Sequence, residues 1–459
     1  MRELSSKISS AGISTHLAQA ASWLAAEHKG IDKGFIGVST DSRTMKPGVL
    51  FVALRGPNFD AHEHIREAEA KGAAALLVER VVDSTLPQLI VVDTRRALGR
   101  LAAAWRQHCN TPLIAITGSN GKTTVKEMCR VICSQVGETL ATEGNLNNEI
   151  GVPLSLLRLA PEHRYAVIEM GASKPGEIAY LTDLTQPDVA VITNVGPAHL
   201  TGFGAVEDVA RAKGEIYAGL RENGVAVINA DGVYTDLWRE MAGTHRQSYF
   251  GAAAESDITA QWRPTATGTQ VDLQTPAGKA EILLPLPGEH NVMNALAATA
   301  ACLALGIDLT AICNGLAQIR GVAGRLTISV TDNGVRLIDD SYNANPSSMR
   351  AAIDVLAAYP APRILVVGDM GELGVNAVQL HRETGLYAKA AGIDALYAIG
   401  ELSQAVVDAF GSGAKHFTDR EMLLADLQQE LGVQVTVLVK GSRSAQMELV
   451  VAAISGGGR

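Results

Sequence analysis

Aromatic residues are scarce in this chain. Phe, Trp and Tyr make up 4% of its 459 residues, too few for the stacking platforms that grip single-stranded nucleic acids. Excess basic charge is also missing: the formal net charge is −9 and the pI is near 5.7, the reverse of what a general nucleic-acid binder needs. No long apolar run is present. The longest, ALAATAACLALGI at 295–307, falls short of the roughly 20 residues that span a bilayer and reads as a buried helix. The cysteines are an odd five, Cys109, Cys129, Cys133, Cys302 and Cys313, with no pair at metal-ligand spacing. That argues against a disulfide framework and a zinc site. Cys129 and Cys133, four apart on an expected helix, read as small buried residues of one face. The opening MRELSSKISSAGIST has no apolar core of a signal peptide, so the expected location is the cytoplasm. What is left is a globular protein that handles small molecules, and nothing in its sequence calls for more than a monomer.

Hydrophobic residues at 47% and charged residues at 19% fit a folded chain, and a prior of roughly 150 residues per domain gives about three domains. Residues 1–85 hold a helical pattern that looks capped (STHLAQAASWLAAE) and a short strand, Val49–Leu54, between Pro-Gly and Arg-Gly turns. HIREAEAKGAAALLVE then reads as helix, glycine stop and strand. In residues 86–322 the apolar strands LIAIT, YAVIEMG, DVAVITNVG and GVAVINAD alternate with helices, which predicts a parallel sheet covered on both faces. Residues 323–459 repeat the texture with VRLIDD, RILVVGD, ALYAIG and VTVLVKG. The expected fold is α/β throughout: a small N-terminal domain, a central parallel-sheet domain and a C-terminal Rossmann-like domain.

LIAITGSNGKTTVKEM at 113–128 carries the chemistry. It has the strand–loop–helix context of a phosphate loop, yet the usual first glycine is replaced by Ile116, leaving Gly118-x-x-Gly121-Lys122-Thr123. Backbone N–H groups of Gly118, Ser119, Asn120, Gly121 and Thr124 and the helix N-terminus suit phosphate oxygens, Lys122 suits their charge, and Thr123 offers a hydroxyl to Mg²⁺. A hard cation needs further oxygen ligands. Glu169 ends the strand of YAVIEMG and His199 follows that of VITNVGPAHL, at strand ends where parallel sheets collect ligands. Lys213, in EDVARAKGEIYAGL, reads by default as an exposed helical lysine.

TGSNGKTT, IEMGAS, NVGPAHL, ARAKGEI, EHNVMNALAA and DDSYNANPSSM occur in this order, and together they resemble the Mur ligases. STDSR, KPGVLFVALRG, EGNLNNEIGVP and GDMGELG are similar to the members that add a dipeptide. The resemblance extends from about residue 38 to about 445, and its shorter T-G-x-N-G-K-T loop accounts for Ile116. It implies an ADP-forming ligase that joins D-alanyl-D-alanine to UDP-N-acetylmuramoyl-tripeptide through an acyl phosphate, for peptidoglycan, with ATP and two Mg²⁺. Thr123 and Glu169 would hold one ion and His199 the second, and Lys213 would be carbamylated to give an anionic ligand. A free lysine, with a pKa of about 10.4, must lose its proton for that. The catalytic set is then Lys122, Glu169, His199 and Lys213.

Asn291 would meet adenine, with helix capping as the competing account. Arg325 would reach the phosphates and Asp340 the ribose, while Asn343, Asn345 and Pro346 either share that work or shape a turn. Thr40, Asp41, Ser42 and Arg43, with Asn145, Asn147 and Asn148, are the candidates for the UDP-linked donor, each also readable as plain polar loop. The acceptor dipeptide falls to the third domain, near GDMGELG (368–374) and VKGSRS (439–444). The rivals are a neighbouring ligase that adds a diamino acid, against which no DNPR-like motif is present, a phosphate-loop kinase, and a nucleotide-binding switch.

Overall fold

The computed structural model describes residues 12–197, 200–265 and 267–456. The first sheet has five strands in the order Glu27–Lys29, Gln88–Ile90, Ala75–Val78, Leu50–Val52 and Val38–Ser39. All pairs are parallel except the edge strand Glu27–Lys29. The expected division after residue 85 falls inside this sheet, because Gln88–Ile90 pairs with Ala75–Val78. The expected Ser/Thr cap of the first helix is also corrected. Ser14–His16 is a strand paired with Gly34–Ile36, and the helix Leu17–Leu24 starts at His16 without a side-chain cap. The helix–glycine–strand reading holds: Ile65–Ala70 ends before Gly72 and leads to the buried Ala75–Val78.

The central sheet runs Thr139–Ala141, Tyr165–Glu169, Leu113–Thr117, Val189–Ile192, Val225–Asn229 and Arg246–Phe250, all parallel. Its core strand is apolar without a break because both faces are covered. Leu113 and Ala115 join the cluster containing Leu98, Leu101 and Trp105 of the helix Thr94–Cys109. Ile114 and Ile116 point the other way, into the cluster of Val125, Met128 and Ile132 from the helix Lys122–Cys133 with Leu296 and Ala300 from the helix Glu289–Ala304. This alternation is the two-residue period of a strand. Cys129, Cys133 and Cys302 lie buried in that second cluster as small apolar residues.

A three-stranded antiparallel meander, Thr259–Thr265, Gly268–Thr275 and Gly278–Leu284, packs on the same side. It is absent from the sequence reading, although the alternating buried Val271 and Leu273 carried its signal. The third sheet orders Thr327–Val330, Arg336–Asp340, Thr436–Lys440, Arg363–Gly368, Ala395–Ile399 and Ala414–Phe417. All but the first pair are parallel. The last strand in the chain enters between two early ones, so the chain changes direction there, and ligands of open sheets gather outside such switch points. No helix among the described residues is long and apolar enough to cross a membrane.

Candidate active site

Leu113–Thr117 has Tyr165–Glu169 on one side and Val189–Ile192 on the other. The loop leaving its C-terminal end therefore opens at the switch point of the central sheet. Gly118 sits at φ 154°, and a Cβ there would collide with the Thr193 hydroxyl. Gly121, at φ 79°, starts the helix Lys122–Cys133, and a Cβ there would strike the Asn294 amide. Both positions therefore require glycine. Neighbouring strand ends fix the loop: Asn120 N–H donates to Asn194 Oδ1 (2.9 Å), Thr193 Oγ1 donates to Asn120 O (2.6 Å), and Asn229 Nδ2 donates to Thr193 O (2.8 Å). Ser119 Oγ accepts from Gly196 N–H at 3.0 Å. The Lys122 ammonium folds back onto Gly118 O at 2.8 Å, and its pKa is lowered by burial.

Thr123 Oγ1 donates to Glu169 Oε2 at 2.9 Å, and Asn147 Nδ2 donates to Glu169 Oε1 at 2.9 Å. Adjacent oxygens around a Mg²⁺ ion with bonds of about 2.0–2.1 Å stand about 2.9 Å apart, so this buried oxygen pair matches one edge of such an octahedron. Among the described residues no cluster of three His, Cys, Asp or Glu could hold a metal. The Thr123 hydroxyl and Glu169 carboxylate are the hard oxygen donors that suit Mg²⁺ with a nucleotide. His199 lies outside the described residues.

Lys213 is corrected from an exposed to a buried lysine: only 2% of its surface is accessible. Among the described residues its Nζ has no hydrogen-bond or ion-pair partner. Burial, aided by the charge of Lys122, pushes its pKa well below the ordinary value, because a charged ammonium loses its hydration there.

These groups line one cavity of about 1050 Å³ that also collects Asn145, Asn147, Asn148, Asn291, Arg325 and Asp340. Asn291 does not cap its helix, whose N-cap is Gly288. Its Nδ2 donates to Pro287 O at 2.7 Å and its Oδ1 accepts from Asn294 at 3.2 Å. The Arg325 guanidinium lies over the Tyr342 ring, 4.4 Å from its centre. Asp340 accepts from Lys440 Nζ at 2.5 Å and from Leu326 N–H at 3.2 Å. Lys440 was not singled out as a residue from the sequence. Register places it beside Asp340 on the adjacent strand, and its only sequence signal was a lysine ending an apolar strand.

Asn345 caps the helix Pro346–Ala357 by accepting from Ser348 N–H, with Pro346 at the first turn. The same side chain reaches the phosphate loop, where Nδ2 donates to Asn120 Oδ1 at 2.7 Å. Asn343 and Pro346 serve loop and helix start, and Asn343 O accepts from Lys440 at 2.9 Å. Thr40, Asp41, Ser42 and Arg43 do not line this cavity. Asp41 and Arg43 pair with each other at 2.9 Å, which holds the Asp41 carboxyl at about 2. Ser42 Oγ donates to Glu67 at 2.8 Å.

A glycine loop at the switch point of a parallel sheet, with a lysine and a hydroxyl–carboxylate pair behind it, defines a nucleotide-using enzyme of the phosphate-loop class. Three family models cover the chain in turn: the Mur ligase family catalytic domain at 35–106, the Mur ligase middle domain at 116–302, and the Mur ligase glutamate ligase domain at 324–443. The chain belongs to the Mur ligase family. It is 50% identical over 451 residues to the UDP-N-acetylmuramoyl-tripeptide–D-alanyl-D-alanine ligase of Escherichia coli K12, across 97% of this chain and 99% of that one. It is also similar to the solved UDP-N-acetylmuramoylalanyl-D-glutamyl-2,6-diaminopimelate–D-alanyl-D-alanyl ligase of Acinetobacter baumannii (38% identity, TM-score 0.88, covering 97% and 99%). A third likeness is to the MurF ligase of Thermotoga maritima solved with ADP (29%, TM-score 0.82, covering 92% and 97%).

Proposed function

We propose that this chain joins D-alanyl-D-alanine to UDP-N-acetylmuramoyl-tripeptide, converting ATP to ADP and phosphate and forming the UDP-linked pentapeptide precursor of peptidoglycan. The reading is supported above all by an end-to-end match to ligases of that name, combined with one cavity that joins the phosphate loop to strand ends of the third sheet. A carboxylate is a poor electrophile. Transfer of the γ-phosphoryl group to it gives an acyl phosphate, the dipeptide amine attacks the acyl carbon, and phosphate leaves with the amide formed. The protein's task is positioning and charge stabilisation.

In this reading the backbone N–H groups of 118–124 and the Lys122 ammonium hold the terminal phosphates. Thr123 and Glu169 would hold a Mg²⁺ ion, which would neutralise charge on the transferring phosphoryl. Asn291 orients the adenine, Asp340 accepts from the ribose, and Arg325 meets the phosphates from the third domain. Asn145, Asn147 and Asn148 face the donor, and the segment Thr40–Arg43 serves the more distant uridine end. Lys213 carries a carbamate. Its neutral amine adds to the carbon of CO₂, the N–H proton goes to solvent, and the resulting anion sits beside Lys122. The burial that lowers its pKa supports this role. The first domain, which runs past residue 85 to include the strand Gln88–Ile90 of its sheet, serves the UDP-linked donor, the central domain up to residue 322 serves ATP, and 323–459 serves the dipeptide. ATP and UDP-linked substrates support a location in the cytoplasm.

The test is release of ADP and phosphate with UDP-N-acetylmuramoyl-tripeptide, with and without D-alanyl-D-alanine, while the nucleotide-sugar product is weighed by mass spectrometry. Dipeptide-dependent release and a product heavier by the dipeptide minus water are expected. Release that ignores the dipeptide, or a better reaction between the shorter stem and a free diamino acid, would overturn the proposal.

A further inference from the structure

The ionisable groups around the cavity do not balance. Its wall carries six basic side chains, Arg96, Lys122, Lys174, Lys213, Arg325 and Lys440, and four carboxylates. Every carboxylate is engaged. Glu169 is held by Thr123 and Asn147, and Asp340 by Lys440. Glu149 pairs with Arg95 at 2.6 Å, outside the cavity wall, and Glu177 accepts from the N–H groups of Ser173 and Lys174. Lys122, Lys213, Arg325 and Lys440 are taken up by nucleotide, carbamate and Asp340 in the reading above. Arg96 and Lys174 are left, with no carboxylate partner among the described residues.

Arg96 is also presented in a particular way. Its guanidinium lies over the Tyr180 ring, 4.7 Å from the centre, which covers one face of the guanidinium plane. The platform is fixed by packing. The Tyr180 hydroxyl is buried, with no hydrogen-bond partner among the described residues, and it fits against the helix Thr94–Cys109 only because residue 99 is glycine. One position before Arg96, Arg95 binds Glu149, next to Asn145, Asn147 and Asn148, which face the donor in that reading. A flat guanidinium without a carboxylate partner suits binding of a carboxylate through its edge donors.

We propose that Arg96, with the added positive field of Lys174, binds a free carboxylate of the donor's peptide stem. This rests on the ligase reading. A stem written alanyl-D-glutamyl-2,6-diaminopimelate, as in the name of the Acinetobacter relative, supplies two candidates besides the carboxylate that reacts. The glutamyl residue uses one of its two carboxyl groups to extend the stem and keeps the other. Diaminopimelate keeps its distal one.

The experiment uses the full-length enzyme, Arg96→Gln and Arg96→Lys, with donors ending in diaminopimelate or in lysine, which lacks the distal carboxylate. Loss of a charge-assisted contact to one carboxylate should raise the donor KM of Arg96→Gln about ten- to a hundredfold. KM for ATP, KM for D-alanyl-D-alanine and the melting temperature should stay unchanged, and Arg96→Lys should recover part of the loss. An effect confined to the diaminopimelate donor assigns the distal carboxylate, and an equal effect on both donors assigns the glutamyl one. A donor KM within about twofold of wild type for both, or a parallel rise in the KM for ATP that marks a packing role, overturns the proposal. Failure of the ligase reading would look different: wild-type enzyme would show no dipeptide-dependent ADP release with either donor.

Discussion

Replacing Lys440 by methionine removes the ammonium from a pair that the fold has almost wholly buried, with side-chain exposures of 2% for Lys440 and 12% for Asp340. Nζ gives up a 2.5 Å bond to Asp340 Oδ2 and a 2.9 Å bond to Asn343 O. Among the described residues the carboxylate keeps the Leu326 N–H and the more distant charge of Arg325. Stranding one member of a buried pair costs about 3–5 kcal/mol. The double variant Lys440→Met/Asp340→Asn removes the stranded charge while its amide oxygen can still accept from Leu326, so its loss should shrink toward the single neutral bond to Asn343 O, about 1 kcal/mol.

The sign with pH follows from burial, which already raises the Asp340 pKa in the wild type despite Lys440. Without Lys440 that pKa rises further. A carboxyl whose folded pKa lies above its unfolded value favours the fold when protonated and weakens it as pH rises through the folded pKa. The penalty of Lys440→Met is therefore largest at neutral pH and fades on acidification toward the unfolded carboxyl value of about 3.9. Hydrogen exchange of the Thr436–Lys440 strand amides reads the opening free energy locally. A loss below about 1 kcal/mol at neutral pH, a double variant no better than the single, or a penalty that grows on acidification would refute the reasoning.

Lys213→Ala should cut turnover about 10²–10³-fold and regain part of it with a short carboxylate such as propionate; loss without rescue, ATP still bound, removes the carbamate from the account. Thr123→Val deletes one oxygen of the pair 2.9 Å from Glu169, so turnover should fall about 10²–10³-fold and half-maximal activity should need more Mg²⁺. An unchanged Mg²⁺ dependence would count against a metal between these residues. Gly118→Ala places a methyl group on the Thr193 hydroxyl at φ 154°. Calorimetry should show ATP affinity down at least about tenfold, since the loop must shift, and affinity within about twofold of wild type would mean that it need not.

The sequence by itself determined the parts governed by neighbours a few residues apart. Five-residue apolar runs such as Leu113–Thr117 became strands buried on both faces, because covering both faces of a parallel sheet leaves no polar side to pattern. The loop 118–123 was legible because its glycines, lysine and hydroxyl are adjacent in the chain, and the buried cysteines of Lys122–Cys133 followed from spacing alone. Glu169 was legible as the last residue of an apolar strand. The meander at 259–284 was missed even though its alternation is local, since long polar stretches such as QWRPTATGTQ diluted the signal.

Tertiary structure alone decided the rest. Lys213 reads as a solvated helical lysine, and only packing of other segments around it strips its water and pushes its pKa well below the ordinary value. Lys440 and Asp340 are 100 residues apart, and they meet because the last strand inserts between two earlier ones. Asn345 looks like a helix cap and is one, yet its bond to Asn120 spans 225 residues and ties the third domain to the phosphate loop. Periodicity and spacing report which face a residue occupies on its own element. They carry no record of which distant element that face will meet, and burial, charge pairing and pKa depend on that meeting.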